Sequence, residues 1–281
     1  MYSNRNVSVV IPALNEEQAI GPVVAELAAL SICKICSQMS SQAASRDVDG
    51  LVQKRCNHDW HPLVDQIIVC DNGSTDNTAQ VATDAGAQVV QEETPGYGAA
   101  CNTALSALTE KDLIVFVDGD YSVIATEVPL LLQPLIDGGD LVIGSRTSGN
   151  CERGALTLPQ RFGNRLAVLL ILLLWRARVS DLGPFRAITH KALTEIDMQD
   201  RAFGWTVEMQ VRAIQLGQQV IEVPVTTKCR VGQSKISGTL RGVIGAGKGI
   251  LGMIGKLYLQ QVIFDRARFK HVNRLSNRRS A

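Results

Sequence analysis

The sequence predicts an α/β protein built on a mostly parallel β-sheet with helices on both faces. Three observations carry that expectation. "VSVVI" (Val7–Ile11), "QIIVC" (Gln66–Cys70) and "LIVFV" (Leu113–Val117) are apolar without alternation, as strands buried on both sheet faces are. Helix-like segments separate them, as parallel crossovers require. Each strand pattern is followed at once by a polar or glycine-bearing turn, where open α/β sheets bind ligands.

The elements follow in order. After Val7–Ile11 comes a helix over Asn15–Leu30, with Asn15 placed to cap it. Gln66–Cys70 leads into a helix over Thr75–Ala85 that Gly86 stops. "AQVV" (Ala87–Val90), a helix near Ala99–Leu108, the strand Leu113–Val117, a helix near Glu127–Ile136 and the strand Leu141–Ile143 complete the first half. The second half is less regular. It offers an apolar helix near Pro159–Trp175, an extended and turning "RVSDLGPFRAI", a helix over Trp205–Leu216 and a strand in "QQVIEVPVTTK". Ile236–Phe264 is helix-like but holds six glycines between Gly242 and Gly255. Each costs about 1 kcal/mol in a helix interior, so close packing or a break is expected there.

Bulk properties narrow the function classes. With 281 residues and 46% hydrophobic content the chain can bury a sizeable core. A net charge of +1 argues against a nucleic-acid binder driven by phosphate attraction. Seven cysteines, with Met1–Asn6 running straight into a strand rather than a secretory signal, predict reduced thiols and a cytoplasmic setting. The longest strongly apolar run, Leu166–Trp175, is about half the ~20 residues that cross a bilayer. From Arg266 onward the chain is basic and carries no acid. Residues 31–62 read as an exposed insertion. Cys33, Cys36, Cys56, His58 and His61 lie within it, and four of these could close a zinc site. Their spacing matches no standard finger, and a loop with incidental thiols is the alternative.

The chemistry gathers at one sheet rim. Asp71, Asp118 and Gly144 each directly follow a strand. Asn15, Ser74 and Thr75 are explained by turn and capping chemistry alone. Asp71 is not, and a carboxylate at a strand tip can accept hydrogen bonds from a nucleobase or ribose. In "TPGYGAACNTAL", Gly96 and Gly98 before a helix allow close approach of a ligand, and the helix start favours phosphate. In "LIVFVDGDYS", Asp118 and Asp120 serve one site because the chain turns at Gly119. Two carboxylates this close repel unless a cation lies between them, and hard oxygen ligands suit Mg²⁺ or Mn²⁺.

"VSVVIPALNEE", "IIVCDNGSTDNT", "GYGAACNTAL" and "VFVDGDYS", in this order, resemble the family-2 glycosyltransferases of the GT-A fold. "VIGSR", "QRFGNRL", "VSDLGPFRAI", "FGWTVEMQVRA" and "VPVTTKCRVGQSKISGTLRG" extend the likeness to the branch of dolichyl- and polyprenyl-phosphate sugar synthases. The resemblance implies a GT-A domain over residues 1–235 and a helical, basic extension over 236–281.

It also implies roles. Pro12, Ala13, Asn15, Glu16 and Asp71 would hold the nucleoside, and Gly98 would line the nucleotide. Asp118–Asp120 looks like the DxD element that holds the metal and the sugar diphosphate. In that branch a third ligand, often Gln, lies two residues on, where this chain has Ser122. Arg146, Arg161, Arg230, Ser234 and Lys235 match phosphate-binding positions. Asp181 and Glu208 would lie on the acceptor side, Asp181 as the first choice for a general base and Glu208 as an orienting group. A phosphate acceptor, already ionised near neutral pH, needs no base.

The expectation is thus a metal-dependent, inverting glycosyltransferase that uses a nucleotide-sugar donor and a lipid-phosphate acceptor. A small soluble acceptor such as a phosphorylated acid is the alternative, and a non-catalytic nucleotide-sugar-binding protein is a different class. Relatives in this branch often carry transmembrane helices. Here the apolar and basic segments have two readings: a peripheral contact with the cytoplasmic membrane face, or apolar stretches that simply cover the sheet. Self-association as a homo-oligomer is a further expectation.

Overall fold

The computed structural model describes residues 2–33, 60–232 and 240–279. A sheet of seven strands runs in the order β5-β4-β1-β6-β8-β7-β9. These are β1 (Val7–Ala13), β4 (Gln66–Asp71), β5 (Gln88–Gln91), β6 (Leu113–Phe116), β7 (Leu141–Ser145), β8 (Arg186–Thr189) and β9 (Val220–Pro224). All are parallel except β8, which runs antiparallel to both β6 and β7. The carboxyl ends of β1, β4, β6, β7 and β9 therefore share a rim with the start of β8. Within the expected insertion, β2 (Ser31–Cys33) and β3 (Trp60–Pro62) pair antiparallel. The zinc expectation rests on Cys36, Cys56 and His58, which lie outside the described residues.

Alternate side chains of each strand enter opposite layers. Val7, Val9 and Ile11 of β1 face a core shared with α1 (Ile20–Ala28), α2 (Thr78–Asp84) and α4 (Val128–Ile136). Val10 faces a second core shared with α3 (Tyr97–Ser106), α6 (His190–Ile196) and α7 (Trp205–Gln215). In α1 the buried Ile20, Val23, Val24 and Leu27 follow the i, i+3, i+4, i+7 spacing of a helix with one apolar stripe.

A third layer lies over α7. There α5 (Leu158–Trp175) and α8 (Leu240–Arg279) share a cluster of Ala167, Ile171, Val207, Val211, Met253, Ile254 and Leu257. Thr157 opens α5 with a capping box to Gln160, and Arg176 ends it in the left-handed conformation.

One expectation is corrected: Asn15 does not cap α1, which begins five residues later at Ile20. The segment read as extended and turning leads into the strand β8, and the short helix α6 follows it.

Candidate active site

β1 and β4 end side by side, with Ala13 opposite Asp71. The chain leaves β1 past Pro12 and Ala13 through Asn15, which takes a left-handed φ of 53°. The Asn15 Oδ1 accepts the Thr75 N–H at 2.7 Å, and its own N–H donates to Ser74 Oγ at 2.8 Å. The Glu16 N–H donates to Thr78 Oγ1 at 2.8 Å. Asp71 is buried at the tip of β4 and accepts the Ser74 N–H at 3.0 Å. Two loops sixty residues apart are thereby bound into one wall. Asn15, Glu16, Asp76 and Gly232 line an open cleft of about 350 Å³.

The carboxylate turn follows β6. Asp118 Oδ1 accepts the Tyr97 hydroxyl at 3.1 Å. Burial first, then the neighbouring Asp120, push the Asp118 carboxyl up to about 6, against the pull of Tyr97, Arg230 and Arg146. Asp120 Oδ1 accepts the Ser122 N–H at 3.0 Å, and its Oδ2 lies 3.5 Å from Arg230 Nη1. Between them Tyr121 has a left-handed φ of 64°, held by its hydroxyl donating to Glu26 and by Lys228 Nζ 4.6 Å from its ring centre.

A strap runs along this turn. The Lys228 and Val231 N–H groups donate to the Ser122 and Asp120 carbonyls, both at 2.9 Å. Arg230 Nη2 donates to Glu16 Oε1 at 2.8 Å. One guanidinium thus joins the β1 loop to the carboxylate turn. Asp118 and Asp120 are hard oxygen donors close enough for one to raise the other's pKa, and a divalent cation such as Mg²⁺ or Mn²⁺ between them would relieve that repulsion.

On the other side of the rim lies Arg146, directly after β7. Its backbone N–H and Nε donate to Asp181 Oδ2 at 2.7 and 2.8 Å, and its Nη2 to Asp181 Oδ1 at 2.7 Å. Burial acts to lower the Arg146 pKa, but these bonds and the Asp181 charge outweigh it and the net shift is upward. Asp181 is itself fully buried. Glu222 of β9 accepts the Ser180 and Asp181 N–H groups, and Asn164 of α5 accepts the Leu182 N–H at 3.0 Å. Gly183 lets this segment approach β7, since a Cβ there would lie 2.4 Å from the Gly144 carbonyl.

Glu208 and Gly98 are both engaged by the 199–202 loop. Glu208, fully buried in the first turn of α7, accepts the Gln199 and Asp200 N–H groups at 3.0 and 2.6 Å and pairs with Arg212 Nε at 3.0 Å. It fixes the 199–202 loop. That loop packs on the start of α3, where the Gly98 and Ala99 N–H groups donate to the Ala202 and Arg201 carbonyls at 3.2 and 2.9 Å. The close approach that Gly98 permits is therefore made by the chain's own backbone, and its N–H is already used.

A family model described as glycosyl transferase family 2 matches residues 44–197. The chain belongs to that family. An uncharacterised glycosyltransferase of Mycobacterium tuberculosis is 33% identical over 245 residues, covering 85% of this chain and 93% of that protein. A dolichyl-phosphate hexose transferase of Haloferax volcanii is 29% identical over 253 residues, covering 89% and 94%. Among solved structures, glucosyl-3-phosphoglycerate synthase from Mycobacterium tuberculosis, in complex with Mn²⁺, uridine diphosphate and phosphoglyceric acid, shares the fold. The TM-score is 0.63 at 24% identity, over 90% of this chain and 78% of that one. The present chain is a family-2 glycosyltransferase, and its sheet is the GT-A architecture.

Several residues of this glycosyltransferase's rim escaped the sequence reading. Tyr97 and Arg186 stood inside quoted motifs without a role. Arg186 is fully buried in β8, and it donates to the Leu182, Gly183 and Thr206 carbonyls. Burial lowers its pKa to about 10. Asn164 and Glu222 gave no local signal, since their partners are 16 to 42 residues away. Arg161 is exposed on the first turn of α5. Ser234 and Lys235 lie outside the described residues.

Proposed function

We propose that this chain is a metal-dependent, inverting hexosyltransferase that moves a hexose from a UDP-glucose- or GDP-mannose-type donor to a polyprenyl or dolichyl phosphate. Pro12, Ala13, Asn15, Glu16 and Asp71 contact the nucleoside in this reading. Asp118 and Asp120 would hold Mg²⁺ or Mn²⁺, which supplies charge neutralisation for a leaving diphosphate. Arg230 and Lys235 approach the phosphates, and Arg146, held by Asp181, faces the acceptor. Glu208 acts through the 199–202 loop. Cations flanking a displaced diphosphate stabilise charge that develops in the transition state.

One observation carries the choice of acceptor. Both carboxylates expected on the acceptor side are already engaged: Asp181 by Arg146, and Glu208 by two backbone N–H groups and Arg212. Both Asp181 oxygens are hydrogen-bonded to Arg146, and the remaining Glu208 Oε1 is buried 3.0 Å from the Arg212 guanidinium, so neither carboxylate is placed as a base toward an acceptor hydroxyl. An acceptor that arrives ionised needs no such base. The likeness to the Haloferax volcanii dolichyl-phosphate hexose transferase over 89% of the chain supports the same class. A lipid-linked acceptor brings the protein to the cytoplasmic face of a membrane.

A second reading, transfer to a small phosphorylated acid, is favoured by relatives called glucosyl-3-phosphoglycerate synthase, such as one at 32% identity over 64% of this chain. The test offers labelled UDP-glucose or GDP-mannose with Mn²⁺, and either a polyprenyl phosphate or 3-phosphoglycerate as acceptor. Label in the organic phase, lost in Asp118→Ala, supports the first reading. Label only in the phosphorylated acid supports the second.

A further inference from the structure

The sheet and its rim leave one large surface without a role. The outer face of α5 presents Leu158, Phe162, Leu169, Leu172 and Leu173, with Leu158 and Phe162 81% and 70% exposed. Their spacing of four, seven, three and one puts them on a single helical stripe, opposite the buried Ala167 and Ile171. The neighbouring α8 repeats the pattern. Ile244, Leu251, Tyr258 and Leu259 are exposed, while Met253, Ile254 and Leu257 face inward. The two helices are joined by their inner cluster, and Trp175 Nε1 donates to Gln261 Oε1 at 2.6 Å. No helix among the described residues is long and apolar enough to cross a membrane.

Charge identifies what this face meets. Residues 158–178 contain Arg161, Arg165, Arg176 and Arg178 and no acid, and residues 240–264 contain Arg241, Lys248 and Lys256 and no acid. Arg161 and Arg165 of α5, Arg176 and Arg178 just after it, and Lys248 and Lys256 of α8 are exposed. A second copy docking by two-fold symmetry through these stretches would set these cations against one another, with no carboxylate within residues 158–178 or 240–264 to pair them. An anionic lipid surface satisfies both the apolar stripes and the cations.

We infer that the outer faces of α5 and α8 together form the surface by which this glycosyltransferase lies on an anionic membrane. The inference deepens the lipid-phosphate reading and rests on it for its purpose. It also connects the surface to the site. Asn164, on the first half of α5, accepts the Leu182 N–H and donates to the Ser180 carbonyl, so it grips the segment that carries Asp181 and, through it, Arg146. A helix seated at the headgroup level thus positions the arginine placed to receive a lipid phosphate.

Flotation of the full chain with phosphatidylcholine vesicles, with and without phosphatidylglycerol, tests this. The vesicles contain no polyprenyl phosphate. The protein is expected to float with the anionic vesicles and to detach as salt is raised. A Phe162→Asp/Leu173→Asp double variant, with circular dichroism and cooperative melting like the wild type, is expected to bind about tenfold less. The inference falls if the wild type stays behind with anionic vesicles, or if the double variant floats equally well. It also falls if light scattering shows a dimer that the double variant splits, since the face then belongs to a second copy. Transfer to a short-chain polyprenyl phosphate in detergent, without vesicles, tests the acceptor reading separately.

Discussion

Asp181 holds Arg146 through three hydrogen bonds of 2.7 to 2.8 Å, two to the guanidinium and one to the backbone N–H. A carboxylate so used is an anchor for a cation rather than a proton acceptor. Asp181→Asn keeps the shape and removes the charge, leaving a largely buried guanidinium poorly paired. A loss of about 3 kcal/mol in unfolding free energy is expected, measured by denaturant titration. The acceptor KM is expected to rise more than kcat falls. Loss of the acidic limb of the pH–rate profile, with KM unchanged, would instead make Asp181 a base.

Asp118 contributes to a stability curve with a definite sign. Burial and the neighbouring Asp120 hold its carboxyl at about 6 in the fold, above the ordinary 3.8. The folded state holds the proton more tightly, so this contribution is present below the unfolded value and lost as pH rises through about 6. Asp118→Asn is expected to raise the melting temperature of the metal-free protein above that pH. It is also expected to lower transfer activity by about a thousandfold, a site residue held at a cost in stability.

The same carboxyl sets the pH dependence of metal binding. Below about 6 a proton competes with the cation at Asp118. Mn²⁺ affinity, followed by calorimetry without nucleotide, is expected to fall about tenfold per pH unit in that range and to level off above it.

Gly98 is fixed by space. A Cβ there would lie 2.4 Å from the Asp200 carbonyl oxygen and 2.9 Å from the Arg201 carbonyl carbon, so the 199–202 loop must move. Gly98→Ala is expected to cost about 2 kcal/mol in thermal or denaturant unfolding. Gly217→Ala, which meets nothing within 4 Å but sits at φ +71°, is expected to lose only about 1 kcal/mol from backbone strain.

The parallel strands were legible because burial on both faces leaves unbroken apolar runs, as in Val7–Ile11 and Leu113–Val117. β8 was not, because Arg186 interrupts its pattern, and only tertiary carbonyls make a charged residue tolerable inside the sheet. The carboxylates Asp71, Asp118 and Asp120 could be placed at one rim from strand order alone. What each acceptor-side residue touches could not. Asn15 looked like a helix cap until its partners proved to be Ser74 and Thr75, and the partner of Asp181 is 35 residues away. Such pairings are set by the fold, and no local window contains them.

The most direct measurement follows labelled hexose from UDP-glucose or GDP-mannose into polyprenyl phosphate with Mn²⁺ present. Organic-soluble label that chelation abolishes, and that Asp118→Asn and Asp120→Asn both lose, is the expected result. No lipid-soluble label with either donor, while a phosphorylated acid is glycosylated, would contradict it.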